Sequence, residues 1–228
     1  MRAVLCLFVV LSLEPAIGQS FNFLPELDAY YRAHSHLRLS FQVKETREAG
    51  APTQAELGPG LDLFVKPLTR LLDIPIFDPD QVRSRLLQLS AGYRLVLSPS
   101  KPDIQRLRLE FTSNLPLFAK AVVTDRNRAD LDWSCGQFTW RYRNRVKVQR
   151  AFAIGSYRPA PYLSAEGFYQ SQYAKWGTTA LYVGSLFPVG KRSSLDAYYE
   201  HENITTRAQN RQLNQAGLVL NLYFGIRH

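Results

Sequence analysis

The stretch that decides the fold lies near the end of the chain and reads Gln215-Ala216-Gly217-Leu218-Val219-Leu220-Asn221-Leu222-Tyr223-Phe224. Successive side chains of a strand point to opposite faces, so every second residue shares a face. One face of this run is apolar throughout, from Ala216 to Phe224, and the other begins with Gln215 and Gly217. An apolar face opposite a small or polar face predicts a strand that lies between lipid and a wet lumen.

The same run carries a spacing of polar, glycine and apolar residues that points to a cellular location. The pattern polar-x-Gly-x-x-apolar-x-apolar is formed by Gln215, Gly217, Leu220 and Leu222, and the aromatic Phe224 follows. It resembles the sorting signal in the last strand of bacterial outer-membrane barrels. We therefore expect the protein in the outer membrane, with the barrel assembly machinery and the surrounding lipids as partners.

The start of the chain has the features of an export signal. Arg2 supplies a short basic region, and residues 3–13 form an apolar core. That core is too short to cross a bilayer, which takes about twenty residues. Small residues up to Gly18 suit a signal peptidase, so we predict a signal peptide over 1–18 and a single barrel domain over 19–228.

Composition restricts how such a chain can enter a membrane. The formal net charge is +9, and the part after the signal has no long uncharged apolar run typical of a transmembrane helix. Lipid cannot satisfy an open sheet edge, so only a closed barrel remains. Of the two cysteines, Cys6 lies in the signal, which leaves Cys135 as a buried or loop thiol that cannot form an internal disulfide.

Alternation of apolar and polar residues also dominates the remainder of the chain. The strand-like runs are about ten to fourteen residues long, and a tilted strand needs roughly nine to eleven to cross the hydrocarbon. Ten strands can be placed from Leu37 onward, and Leu27–Ala33 is a further candidate without an identified partner. We predict an all-β protein, a closed antiparallel transmembrane β-barrel of about 10–12 strands.

Strand parity predicts which connections share one end of the barrel. If the last strand ends in the periplasm, Pro188–Ser193 is a periplasmic turn. The predicted outward connections are then Asn203–Arg211, Ser171–Lys175, Arg126–Cys135 and Ser98–Asp103. The apolar, Pro-interrupted segment Lys66–Asp80 contains a possible short helix at Leu68–Leu72, and we expect it to be a periplasmic loop or a short plug.

A basic ladder is the strongest candidate for a functional feature. A period of two places its four members on one strand face: Arg141, Arg143, Arg145 and Lys147. Arginine facing lipid at the midplane costs about 2–4 kcal/mol, so the ladder is expected to face the lumen. The carboxylates available to it are Glu166 on the next strand, with Asp196, Glu200 and Glu110 elsewhere.

Two interpretations of the ladder remain open. Paired charges could fill a narrow barrel, which is the less costly arrangement. A positively charged lumen could instead prefer small anions, as rings of Arg and Lys do in pores. Arg126, Arg128 and Arg207, in predicted outer connections, could bind lipopolysaccharide phosphates.

The sequence offers little support for catalysis, metal or nucleic acid. A hydrolytic set could be composed from Ser194, His201 and Glu202 on an outer wall, but any β-rich chain of this length allows such a choice. The pair His34 and His36 has no third ligand nearby in sequence. Basic residues alternate within strands and do not cluster on one surface, which argues against nucleic acid. We predict no enzyme activity, metal or cofactor.

Several stretches resemble one known family: Trp140–Arg145, Pro161–Tyr169, Tyr198–His201 and Leu218–Phe224. This is an uncharacterised bacterial outer-membrane β-barrel family, catalogued as domain of unknown function 2490. Its members are regarded as exported barrels without an assigned activity, so the resemblance implies fold and location only. The chain departs from the usual pattern because four residues, 225–228, follow the final aromatic Phe224.

Function therefore narrows to a few classes. The expected one is a narrow, anion-preferring pore or a structural barrel of the outer membrane. One alternative is an outer-membrane hydrolase that acts on lipid. The other is a soluble periplasmic β-barrel that binds a lipid.

Overall fold

The computed structural model describes residues 20–65, 76–79, 85–117, 120–205 and 210–225. Eleven strands account for most of them, because the alternating runs seen in sequence continue over twelve residues or more in ten of the eleven strands. They are β1 (Ser20–His34), β2 (Leu37–Glu48), β3 (Ala51–Phe64), β4 (Leu87–Ser98), β5 (Lys101–Pro116), β6 (Ala121–Ser134), β7 (Gln137–Arg150), β8 (Ala160–Gln170), β9 (Lys175–Pro188), β10 (Ser193–Ile204) and β11 (Arg211–Phe224).

The eleven strands close into one barrel in which sequence neighbours pair antiparallel from β1 to β11. This confirms the predicted all-β closed barrel of 10–12 strands, including the ten strands from Leu37 onward. One detail of the prediction is wrong, because β1 pairs with β11 in parallel. An odd number of alternating strands leaves the first and last strands pointing the same way, so the closing seam has to be parallel.

The parallel seam supplies the missing partner of the first strand. In its register Leu27 lies opposite Leu220 and Ala29 opposite Leu222. We call the end of the barrel where β11 finishes, at Phe224, the lower mouth, and the opposite end the upper mouth. Because β1 and β11 run in the same direction, β1 begins at the upper mouth.

Short turns join several strands and fix their register. The β2–β3 turn holds Ala49 and Gly50 at φ 50° and 83°, and the β6–β7 turn holds Cys135 and Gly136 at 48° and 75°. Two consecutive positive φ values are typical of a two-residue hairpin turn of type I′. The predicted outer connection Arg126–Cys135 is therefore wrong: β6 continues to Ser134, and only Cys135 and Gly136 form the turn.

The predicted connection Ser98–Asp103 is shorter than expected, because β5 begins at Lys101, while the β8–β9 connection and the Pro188–Ser193 turn lie between strands as expected. The ends of β4, β8 and β10 all lie at the upper mouth and the Pro188–Ser193 turn lies at the lower mouth, whereas residues 206–209 of the predicted connection Asn203–Arg211 lie outside the described residues. Of Lys66–Asp80, only residues 76–79 are among those described, and the possible helix at Leu68–Leu72 lies outside them. Within the described residues no helix is long and apolar enough to cross a membrane.

Candidate functional site

The interior of the barrel contains a polar cavity of about 590 Å³, which we call the lumen cavity. It extends from Asp62 near the lower mouth to Thr46 and Gln54 near the upper mouth. The period of two explains its lining, because the polar members of each alternating run point inward and the apolar members point outward. Ten basic and eight acidic residues of the described chain line it.

Glu166 on β8 is the carboxylate that pairs with two members of the basic ladder, Arg143 and Arg145. Its side chain is fully buried, and both carboxylate oxygens accept hydrogen bonds from Arg143, at 2.8 and 3.0 Å. Arg145 donates to Oε2 at 2.5 and 2.9 Å, Arg126 donates to Oε1 at 3.2 Å, and the hydroxyl of Tyr182 donates to Oε2 at 2.8 Å. One carboxylate thus holds three guanidinium groups from two strands.

Asp130 on β6 is a second buried carboxylate, and it pairs with Arg128 and Arg141. Arg128 Nε donates to its Oδ1 at 2.6 Å, and Arg141 Nη2 donates to its Oδ2 at 2.9 Å. Its side chain is also fully buried. Sequence reasoning missed Asp130 because it assigned this part of β6 to an outer loop, although Asp130 alternates correctly with Arg126 and Arg128.

A third cluster of ion pairs centres on Arg106 and includes one contact between strands that are not neighbours. Arg106 on β5 donates to both oxygens of Asp132 on β6, at 2.7 and 3.0 Å, and to Glu56 Oε2 on β3 at 3.0 Å. The fourth member of the ladder, Lys147, lies 5.3 Å from the ring centre of Tyr162. The structure therefore brings Arg141, Arg143 and Arg145 together with buried carboxylates.

Two further sequence candidates, Asp196 and Glu200, lie on β10. Asp196 accepts a hydrogen bond from the hydroxyl of Tyr162 at 2.9 Å. Glu200 is 7% exposed and lines the cavity, and among the described residues it receives no hydrogen bond and forms no ion pair within 4 Å. Glu200 therefore has no ion pair with the ladder among the described residues.

An apolar layer lies inside the lower mouth. Ile76, from the segment between β3 and β4, is buried against Val122, Ala160 and Leu186. The ring of the adjacent Phe77 lies edge-on to Tyr223, with 6.2 Å between ring centres. These contacts place residues 76 and 77 in the interior of the barrel, against its inner face, which agrees with the plug alternative for this segment.

The residues of the predicted sorting pattern divide between the two faces of β11. Gln215 lines the lumen cavity, while Leu220 and Phe224 are exposed on the outside, the face that Leu222 shares. Gly217 faces inward beneath the ring of Tyr198, and a Cβ there would lie 2.0 Å from the ring carbon Cζ. Gly217 thus has a packing role in the folded barrel, independent of any sorting role.

The outer wall is apolar, and aromatic residues are frequent near both mouths. Exposed rings near the upper mouth include Trp133, Phe138 and Trp176, and those near the lower mouth include Tyr31 and Phe224. The wall between the aromatic residues carries exposed aliphatic side chains, among them Leu39, Leu109, Leu163, Leu181 and Val183.

One polar cluster interrupts this wall halfway along β6 and β7. Asn144 donates to Asp125 Oδ1 at 2.8 Å and to Asn127 Oδ1 at 3.0 Å, and Asn127 donates to Asp125 Oδ2 at 3.2 Å. Tyr142 donates to Asn127 Oδ1 at 2.5 Å. The four side chains largely satisfy one another. Sequence reasoning missed them, although Asn144 interrupts an otherwise apolar face.

The catalytic set considered from sequence does not assemble. Ser194 and His201 are seven residues apart on β10, roughly 23 Å at strand rise, and lie on opposite faces. Ser194 is fully buried, and His201 Nδ1 lies 2.9 Å from Asn214 Oδ1. Glu202 instead accepts a hydrogen bond from Gln215.

The structure also locates the histidine pair and the arginines that were predicted to lie in outer connections. The rings of His34 and His36 are 5.7 Å apart, and no group of three His, Cys, Asp or Glu residues suited to a metal occurs within the described residues. The expectation that Arg126 and Arg128 bind lipopolysaccharide from outer loops is wrong, because both side chains line the lumen cavity. Arg207 lies outside the described residues.

These features define a closed eleven-stranded β-barrel with an apolar outer wall and an ion-paired interior. The chain belongs to the family described as "Protein of unknown function (DUF2490)", whose model matches residues 81–213. The matched span runs from just before β4 into the beginning of β11, and so covers the basic ladder together with Asp130 and Glu166. No curated protein matches the chain.

Proposed function

We propose that this chain is a bacterial outer-membrane β-barrel without catalytic activity, whose interior is held together by ion pairs around a small lumen. The observation that carries the proposal is the inverted polarity of the fold. Charged side chains lie inside, while large apolar side chains such as Leu163, at 63% exposed, and Leu181, at 60%, cover the outside. Water would penalise such an outer wall, whereas the hydrocarbon of a membrane is its natural solvent.

The expected export signal over 1–18, which lies outside the described residues, supports the same proposal. With the end of β11 in the periplasm, the upper mouth faces the cell exterior and the layer around Ile76 faces the periplasm. Lipopolysaccharide and phospholipid are then the immediate surroundings of the outer wall, and the barrel assembly machinery is the partner that inserts it.

The interior favours a barrel that conducts poorly in its resting state. Two buried carboxylates, Asp130 and Glu166, bind three of the four ladder members, and the apolar layer around Ile76 and Phe77 lies inside the lower mouth. A second candidate is a narrow pore that opens when this layer moves. It is favoured by the lumen cavity, since a barrel with a purely structural role has no need of a charged cavity of about 590 Å³.

Two measurements test the proposal. Protein extracted from outer membranes with detergent should migrate fast in gels without boiling and shift after boiling. Recovery in the soluble periplasmic fraction with no shift would contradict the membrane assignment and favour the soluble lipid-binding alternative. In planar bilayers, the purified barrel should show low conductance in its resting state. A large, permanently open conductance would contradict the plugged lumen.

A further inference from the structure

The charges of the lumen are balanced in number and separated in space. The lining residues and four that bond directly to them, Arg94, Asp130, Asp132 and Glu166, make eleven basic and eleven acidic side chains among those the structure describes. The lumen therefore has no formal excess of positive charge. A simple preference for anions, as the ladder alone suggested, does not follow from this balance.

The basic and acidic side chains are unequally distributed between two sides of the barrel. Strands β5–β8, which we call the positive sector, contribute eight of the basic residues and four of the acidic ones: Arg106, Arg108, Arg126, Arg128, Arg141, Arg143, Arg145 and Lys147, with Glu110, Asp130, Asp132 and Glu166. The remaining strands, the negative sector, contribute three basic and seven acidic residues: Arg38, Lys44 and Arg94, with Glu26, Asp28, Glu56, Asp62, Asp196, Glu200 and Glu202. A formal excess of four positive charges thus faces an excess of four negative charges.

Each sector has a charged group that the protein itself leaves without an ion pair. In the positive sector, Arg108 donates to the amide oxygen of Gln42 at 3.1 Å and has no carboxylate within 4 Å among the described residues. In the negative sector, Glu200 is buried, lines the cavity and receives no hydrogen bond from any described residue.

We propose that the lumen cavity binds small zwitterionic solutes, with their carboxylate at Arg108 and their ammonium group at Glu200. A lone anion attracted by one sector is repelled by the other, and the same holds for a lone cation. A molecule that carries both charges gains from both sectors, because a low-dielectric wall focuses each field into the cavity. The cavity has the volume of about twenty water molecules, which is enough for an amino acid or a dipeptide.

This inference deepens the proposed function, on which it rests for the assignment of the cavity as a membrane-barrel lumen. The binding chemistry itself depends only on the folded barrel. Binding is therefore measured by calorimetry on the purified full chain in detergent, after the gel-mobility shift has verified closure. The probes are glycylglycine as the zwitterion, acetate as the anion and ethylamine as the cation.

Glycylglycine should bind at least about tenfold more tightly than either singly charged probe, since each lost charged contact costs a factor of ten or more. Arg108→Gln should reduce glycylglycine to the affinity of ethylamine, and Glu200→Gln should reduce it to that of acetate. The matched outer-wall variants Arg47→Gln and Glu45→Gln should leave binding unchanged.

Two results would overturn the inference. One is equal affinity for acetate and glycylglycine, which would make the cavity an anion site. The other is absence of glycylglycine binding to a barrel that still shows the gel shift. A failure of the membrane proposal has a different signature, recovery of the folded chain in the soluble fraction, and leaves the binding result interpretable. If the variants at Arg108 and Glu200 lose the gel shift, the milder Glu200→Asp, which keeps the charge but shortens the side chain and should weaken glycylglycine but not acetate, takes their place.

Discussion

Replacement of Glu166 by glutamine should destabilise the barrel more than other conservative changes in the lumen. The carboxylate is fully buried and binds Arg126, Arg143 and Arg145, while Tyr182 donates a further hydrogen bond. A carboxamide of the same size keeps one acceptor oxygen but turns an NH₂ group toward guanidinium donors. Three buried cations then lose their shared anion.

The size of the effect follows from these contacts. Removal of one partner of a buried ion pair costs about 3–5 kcal/mol. Because glutamine retains an acceptor for Tyr182, we expect the lower end, about 3 kcal/mol, which changes the folding equilibrium more than a hundredfold. The assay is urea unfolding in detergent micelles, followed by the unboiled gel band and by circular dichroism.

The matched control is Glu45→Gln. Glu45 pairs with Arg47 at 3.1 Å on the outer face of β2, and both side chains are partly exposed. Exposed pairs contribute about 0–1 kcal/mol, so this variant should unfold close to wild type. If Glu166→Gln and Glu45→Gln unfold at the same urea concentration, Glu166 does not anchor the positive sector and the reasoning is wrong.

Three further predictions follow from the packing. Gly217→Ala places a methyl group where the Tyr198 ring lies, and should lower unfolding free energy by about 1–3 kcal/mol in the same urea assay, with recovery when Tyr198→Leu is added. Replacing Ile76 and Phe77 by serine removes the apolar layer of the lower mouth and should raise single-channel conductance in planar bilayers; unchanged conductance would mean that the layer does not obstruct the lumen. Cys135 is exposed in an upper-mouth turn, so a membrane-impermeant maleimide should label it on intact cells, whereas labelling only after lysis would reverse the proposed orientation.

Much of the barrel could be predicted because alternation is a local signal. Runs such as Leu87–Arg94 place apolar residues on one face and polar or small residues on the other, and this alone fixes which side chains face the lumen. The pairing of β1 could not be predicted in the same way. Its partner, β11, lies nearly two hundred residues away in the sequence. The residues of a first or last strand do not indicate which strand it pairs with when the barrel closes.

The middle of β6 shows where the pattern fails. Asp125, Arg126, Asn127 and Arg128 are consecutive polar residues, so no apolar face was visible and a loop was predicted. The structure explains the anomaly, because the outward members Asp125 and Asn127 bond to Asn144 and Tyr142 on β7. A cross-strand cluster of this kind replaces the usual apolar face and is invisible until the register is known.

The lumen site was only partly predictable for a similar reason. The period of two correctly assigned the ladder to one face and brought Glu166 into consideration. Which carboxylates pair with the ladder depends on the order and register of the strands, which the sequence does not reveal. The two strands that adjoin β7 supply Asp130 and Glu166, whereas Glu200 on β10 forms no ion pair within 4 Å among the described residues.

The parallel seam between β1 and β11 also limits how the chain can be re-engineered. In a barrel with an even number of strands the two termini lie at the same end, and a short peptide can join them in a circular permutant. Here residue 225 and residue 20 lie at opposite mouths, because Ser20 pairs with Leu213 and the rest of β11 separates the two ends by roughly 40 Å. A joining peptide would need about twelve extended residues threaded through the ion-paired lumen or along the outer wall. Circular permutation should therefore fail, whereas reporters fused to the two ends would emerge on opposite sides of the barrel.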